Sequence, residues 1–276
     1  MISKKRLQIG VVCAFAILVS AVYGADDSLE DLRTALNEIE TRNDILAVIG
    51  SPAQPVRSVL SEFVVDRDMI VYVQVSDPDE LLALRELADR RMAFGSRIFV
   101  EEAKPSSISL ADNLAGVVFV CGSVRNGVSE QELLRVAYPG ATILVGGRKI
   151  VKPHVTGTDS WSHPHHGPDN NPQSTDQRAR APYLTQFLAE PLFCPMPEVS
   201  VAAGGKVFRA FGHIAHKANQ NEMLNTLICA NAYNGTILWQ RPLKEGFMIH
   251  RNTMIATPEI LYMADDESCK LIDTQT

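Results

Sequence analysis

The amino-acid sequence predicts an α/β domain built on a doubly wound parallel sheet, followed by a smaller β-rich region. In the first half, short apolar runs alternate with segments of helical spacing, and in the last third β-prone runs are separated by turn residues. A stretch rich in histidine and proline lies between the two. The chain has 276 residues, 46% of them hydrophobic and 21% charged, so it can bury a sizeable core and is not a disordered chain.

The first 24 residues have the layout of a secretory signal peptide. Lys4, Lys5 and Arg6 form a positive region, and an apolar run follows over residues 9–19. Residues 21–24 then place small side chains at the −3 and −1 positions of a cleavage after Gly24. We therefore expect export to the periplasm or the outside of the cell. The alternative is an uncleaved anchor, and only in that case do we expect a membrane association.

The net charge indicates which class of partner is excluded, and the cysteine content indicates which covalent links the chain can form. The net charge of −6 and a pI of about 5.7 disfavour a nucleic-acid binder, because no basic field attracts phosphates. After loss of the signal peptide four cysteines remain, and no two of them are close enough in sequence for a CxxC motif: Cys121, Cys194, Cys229 and Cys269. They are either four thiols or two disulfides.

Strands and helices alternate between residues 28 and 150. Apolar runs predict strands over residues 45–49, 69–75, 97–100, 117–121 and 141–145. Apolar residues at helical spacing predict helices over residues 28–39, 55–63, 77–88 and 130–136. This alternation predicts a parallel sheet that binds its ligands at the carboxyl ends of its strands.

Four features of this part resemble class I S-adenosylmethionine-dependent methyltransferases. They are the end of the first strand at Gly50, the acid Asp77 after the second strand, residues 110–113 before the fourth strand and residues 135–140 before the fifth. The resemblance implies a Rossmann-like fold in which Gly50 lies near the cofactor and Asp77 binds the ribose hydroxyls. The family's Gly-x-Gly loop is not matched, because Pro52 and Pro55 follow Gly50, and Gly116 stands where the family often has an acid. We therefore expect a degenerate, inactive domain. The alternative roles are a tight turn at Gly50 and a helix cap at Asp77.

We predict an extended linker over residues 153–182, because apolar residues do not recur there at the spacing of a helix or a strand. Its clustered imidazoles, His163, His165 and His166, are candidate ligands of a transition metal, with Asp169 as an oxygen ligand. The alternative is a solvated or packing loop, in which Trp161 anchors the segment to one domain.

The β-rich region contains one recognisable sequence repeat. Strands are predicted over residues 206–211, 226–230 and 236–239, with a tight turn at residues 233–235. The order of Ala230, Gly235 and Trp239 resembles the repeat of pyrroloquinoline-quinone (PQQ)-type β-propellers, in which the tryptophan packs between blades. Residues 260–264 and 270–273 resemble the start of a second blade. Because a propeller needs at least four blades, we expect one to two incomplete blades and a truncated chain.

These observations divide the chain into a signal peptide (1–24), a methyltransferase-like domain (25–152), a linker (153–182) and a partial propeller region (183–276). The order resembles large exported proteins of planctomycete type. The main expectation is a non-catalytic exported module that binds a protein partner through its propeller surface, with no catalytic residue assigned. One alternative is an S-adenosylmethionine-dependent methyltransferase that uses Gly50 and Asp77. The other is a fragment of a quinone-dependent oxidoreductase, with PQQ as its cofactor by resemblance.

Overall fold

The computed structural model describes residues 33, 37, 43–52, 69–90, 93–183, 185–195, 197–244, 253–265 and 267–275. The predicted signal peptide and the predicted helix over residues 55–63 lie outside the described residues. Of the predicted helix over residues 28–39, only Arg33 and Asn37 are described, and both are helical. Within the described part of the chain, no helix has the length and hydropathy needed to cross a membrane.

A six-stranded sheet forms the first part of the molecule. Its strands are β1 (Ile45–Ile49), β2 (Ile70–Val75), β3 (Ile98–Glu102), β4 (Ala115–Val120), β5 (Ala137–Val145) and β6 (Arg148–Val151). They lie in the order β3-β2-β1-β4-β5-β6, with all neighbours parallel except the antiparallel pair β5–β6. The predicted Rossmann-like parallel sheet is therefore confirmed in β1–β5, and the antiparallel edge strand β6 makes the sheet a mixed one.

Two described helices flank the sheet, α1 (Pro78–Arg90) and α2 (Glu130–Val136). Every residue of β1 and β4 is buried, because side chains from both faces of the sheet pack into separate apolar clusters. The helix α1 buries Leu81, Leu84 and Ala88, which lie on one face at helical spacing, as the sequence predicts.

The strand β6 has no counterpart among the strands predicted from the sequence. Gly146 and Gly147 both have positive φ and form a two-residue turn that pairs Val145 with Arg148. Because most side chains of β6 are exposed, the strand has no buried apolar run that would reveal it in the sequence.

The second part of the molecule contains two antiparallel sheets. The strands β7 (Pro197–Ala203), β8 (Lys206–Phe211), β9 (Thr226–Asn231) and β10 (Ile237–Pro242) form a four-stranded sheet in the order β10-β9-β8-β7. The strands β11 (Met254–Ala256), β12 (Ile260–Ala264) and β13 (Cys269–Asp273) form a three-stranded sheet. The predicted strands in this region are confirmed. Their predicted arrangement as one to two incomplete propeller blades is not confirmed, because the described strands form two antiparallel sheets without a propeller around them.

The two antiparallel sheets share one apolar core, which contains Phe208, Leu227, Met254 and Leu261. Trp239 lies at its border, where its Nε1 donates to the carbonyl oxygen of Thr274 at 3.1 Å, just beyond β13. The indole therefore joins β10 of one sheet to the end of the other.

The linker and the cysteines complete the fold. The backbone of Trp161 pairs with Ala202 of β7, and the carbonyl of Ser162 accepts from the amide of Ala256 in β11, so the linker contacts both antiparallel sheets. Of the two alternatives for the cysteines, the structure shows thiols, because the four described cysteines form no disulfide. Cys121 and Cys229 are buried, Cys194 is half-buried and Cys269 is exposed.

Candidate functional site

The candidate site lies at the carboxyl edge of the parallel sheet, where β1 ends between β2 and β4. Gly50 closes β1 with a φ of +97°, and its amide donates to the carbonyl of Gln74 in β2. A Cβ added to Gly50 would come within 2.5 Å of Val124 and 3.1 Å of Cys121. The residues after β4 therefore pack directly against Gly50, and only glycine fits there without strain.

Asp77 lies at the same edge, two residues beyond β2. Its Oδ1 accepts from the backbone amides of Asp79 at 2.8 Å and Glu80 at 3.3 Å, so the side chain caps the first turn of α1. The cap that the sequence analysis kept as an alternative is therefore present. The side chain is exposed, so its carboxylate faces solvent at the sheet edge where ligands bind in this type of fold.

Gln74 of β2 is a structural residue of this edge that the sequence analysis missed. Its buried side-chain amide donates to the carbonyls of Lys104 at 2.9 Å and Ser107 at 3.1 Å, and its Oε1 accepts from the amide of Ser109 at 2.9 Å. The hydroxyl of Tyr72 also donates to Oε1. One side chain thus holds the segment that connects β3 to β4 against the sheet.

Arg135 of α2 holds the other half of that segment. Its guanidinium donates to the carbonyls of Ile108 and Leu110 and forms ion pairs with Asp112 and Glu132, at 2.8 Å each. The same contacts hold the pKa of the Glu132 carboxyl below its usual value and that of Arg135 above its own. The β3–β4 connection is therefore held by polar side chains, although it contains no helix.

The histidine segment makes contacts of a different kind. His166 pairs with Asp159 at 3.0 Å, and its ring contacts that of Trp161 at a centroid distance of 5.1 Å and an interplanar angle of 56°. His163 shares a hydrogen bond with Ser162. Desolvation raises the pKa of Asp159, but hydrogen bonds from the amide of Thr175, from Ser174 and from His166 hold it well below its usual range. Across the described residues no group of three or more His, Cys, Asp or Glu side chains could hold a metal ion. The predicted metal role of His163, His165 and His166 stays a prediction.

Comparison with protein-family models gave no match, and comparison with curated proteins gave none either. Solved structures do match. A SAM-dependent methyltransferase from Aquifex aeolicus is 21% identical, with 40% of this chain and 60% of that chain covered and a TM-score of 0.33. Proteins described as a sarcosine dimethylglycine methyltransferase from Galdieria sulphuraria and an S-adenosylmethionine-dependent methyltransferase from Methanococcus maripaludis are 14% and 19% identical, with TM-scores of 0.35 and 0.33.

The Galdieria and Methanococcus matches cover 42% and 40% of this chain and 44% and 51% of theirs. The chain thus spans roughly half the length of the three matched proteins. The likeness concerns the fold of the parallel sheet alone. The matched structures are nevertheless methyltransferases, and none of these three is a β-propeller protein. The main functional expectation, a non-catalytic propeller module with an inactive methyltransferase-like domain, is therefore wrong, and the findings favour the methyltransferase alternative.

Proposed function

We propose that the chain binds S-adenosylmethionine at the carboxyl edge of its parallel sheet and is a methyltransferase. The observation that carries the proposal is the position of an exposed carboxylate, Asp77, next to the strand β1 that lies between β2 and β4. Asp77 is the residue for which the family resemblance implies binding of the ribose hydroxyls.

The residues fit this cofactor on the Asp77 side of the edge. The cap to α1 occupies Oδ1, and within the described residues no hydrogen bond engages Oδ2, so a diol has an acceptor available. On the other side, Val124 and Cys121 fill the space next to Gly50. We therefore assign the cofactor contact to Asp77 and treat Gly50 as the residue that lets the two loops pack.

The bound cofactor supplies an activated methyl group on a sulfonium ion. Transfer of such a group depends mainly on alignment of donor and acceptor, so the chain has to contribute binding and orientation rather than a strong base. Gln74 serves this requirement, since it holds the first half of the β3–β4 connection, which leaves the sheet at the same edge, in one conformation.

The proposal is tested by titrating the full chain with S-adenosylmethionine in a calorimeter, using Asp77→Ser as the variant. Serine also caps helices, so the helix start is retained while the carboxylate is lost. Loss of hydrogen bonds to a charged group costs about 1.5–3 kcal/mol, and we expect the affinity to fall about tenfold or more.

Asp89→Ser is the matched control, because Asp89 is an exposed acid at the other end of the same helix and the charge change is equal. We expect its affinity for the cofactor to equal that of the unmodified chain. Absence of binding to the unmodified chain, or equal affinities for the Asp77 and Asp89 variants, would refute the proposal.

We further propose that Trp239 is a main stabilising contact between the two antiparallel sheets of the second part of the molecule. The support is the indole of Trp239, which joins the four-stranded sheet to the next. The proposal concerns the fold and assigns no activity to these sheets. We expect Trp239→Phe to lower the thermal midpoint more than Trp161→Phe does, because it removes the hydrogen bond between the sheets. Equal midpoints for the two variants would contradict the proposal.

A further inference from the structure

The two parts of the molecule have separate apolar cores and meet at a polar junction. The parallel sheet packs into its own clusters, and the antiparallel sheets pack into another. The described hydrogen bonds between the two parts come from the end of β9 and the β9–β10 turn, through Asn231 and Asn234, and from the segment before β7, through Gln186. Parts with independent cores and a polar contact can separate without unfolding.

Asp44 is the centre of this junction. It lies directly before β1 at the amino edge of the parallel sheet, opposite the proposed cofactor site, and is 1% exposed. Its carboxylate accepts from the hydroxyl of Tyr138 at 2.7 Å, from the amide of Ile45 at 2.7 Å and from the side chain of Asn234 at 3.1 Å. Asn234 comes from the other part of the chain, so docking of the turn removes Asp44 from water.

The conformation of the β9–β10 turn fixes the position of the Asn234 side chain. Asn234 also donates to the carbonyl of Leu114, while its Oδ1 accepts from the amide and hydroxyl of Thr236. Tyr233 stacks on Tyr138 at a centroid distance of 5.5 Å. Both polar ends of the Asn234 side chain are thus engaged, and the turn can place its amide only where Asp44 lies.

We infer that this junction is a pH-dependent clasp between the two parts of the chain, tight when Asp44 is protonated and weaker when it is ionised. The groups that support the clasp come from both parts of the molecule. Protonation removes the cost of a buried charge, while Tyr138 can accept as well as donate a hydrogen bond.

The sign of the effect follows from burial. Desolvation raises the pKa of Asp44 from 3.8 to about 6, although the hydrogen bonds from Tyr138, Ile45 and Asn234 lower it in part. In the undocked chain the carboxyl is solvated and keeps its ordinary pKa. The docked form therefore holds its proton more tightly, so docking is strongest below pH 4 and weakens as the pH rises through 6. Between pH 5 and 7.5 the docking constant should fall about tenfold.

Other ionisable groups surround the junction within the described residues. Burial raises the pKa of both tyrosines, Tyr138 and Tyr233, so they stay protonated in this range. The remaining groups are Glu190 and Arg97, which line a cavity of about 320 Å³ beside Asn234, together with Asp112, Lys152 and His154. His154 lies near Gly140 of β5, so a variant at this position is included as a control.

The test is hydrogen–deuterium exchange of the full chain between pH 5 and 7.5, with each rate divided by the intrinsic rate at that pH. The reporters are the amide of Ile45, which donates to Asp44, and those of residues 233–236 in the turn. The amides of Val48 and Phe208 lie in sheet interiors and serve as references. We expect protection at the reporters to fall about tenfold over this range while the references stay constant.

Three variants show whether the Asp44 carboxyl is the group that titrates. Asp44→Asn should show no pH dependence, because the amide keeps two acceptor contacts through Oδ1 and can donate to Tyr138. Asn234→Asp should show a steeper dependence, because it places a second carboxylate against Asp44. His154→Gln should behave like the unmodified chain. A constant protection in the unmodified chain, a dependence that persists without Asp44, or an equal change at the references would overturn the inference.

Discussion

Gly116→Ala is expected to lower the free energy of unfolding by about 3 kcal/mol or more. A Cβ at this position of β4 would lie 2.0 Å from Oδ2 of Asp44 and 2.4 Å from its Cγ. Asp44 cannot swing aside, because its carboxylate is buried and held by Tyr138 and Asn234. In an ordinary strand the same substitution would stabilise the protein, since glycine loses more conformational entropy than alanine on folding. Chemical denaturation measures the difference.

Gly127→Ala is the matched control for this prediction. A Cβ at Gly127 would meet only Pro105, at 3.5 Å, which is an ordinary contact. We expect its stability to lie within about 0.5 kcal/mol of the unmodified chain. The double variant Asp44→Ala/Gly116→Ala should lose less than the sum of the two single changes, because the clash is gone. Equal stability of the Gly116 and Gly127 variants would rule out the proposed contact.

Gln74→Leu is expected to cost about 3 kcal/mol, since it removes three hydrogen bonds between a buried side chain and the β3–β4 connection. The carbonyls of Lys104 and Ser107 and the amide of Ser109 would each lose their hydrogen bond to this side chain. Tyr72 retains a second acceptor, Glu101, at 3.3 Å. Thermal and chemical denaturation should both show the loss, and the amide of Ser109 should exchange faster.

Two further variants test whether the lost hydrogen bonds of Gln74 cause the loss of stability. Gln131→Leu makes the same change at an exposed position of α2, and we expect a stability change within about 0.5 kcal/mol. Gln74→Glu conserves the shape but turns an oxygen toward two carbonyl oxygens, so it should be at least as destabilising as the leucine variant. A Gln74→Leu protein as stable as the Gln131→Leu protein would show that the β3–β4 connection does not depend on this side chain.

The strand and helix pattern of the parallel sheet could be predicted from local sequence because burial on both faces makes each strand a continuous apolar run. The run over residues 45–49 and the apolar spacing of Leu81, Leu84 and Ala88 needed no tertiary information. The strand β6 could not be predicted in this way, because its side chains are mostly exposed and form no apolar run. It is a strand because β5 provides its hydrogen-bond partners.

The candidate site residues show the same difference between what the local sequence predicts and what the tertiary structure decides. Gly50 and Asp77 could be predicted because each follows directly from the end of a recognisable strand. The tertiary structure decided their surroundings, such as the packing of Val124 on Gly50, because that contact joins residues more than seventy positions apart. Gln74, Arg135 and Asp44 could not be identified from the sequence for a related reason. A polar residue takes a structural role only when distant backbone groups, or a second part of the chain, bury it and bind it. A local sequence pattern does not show which distant groups these are.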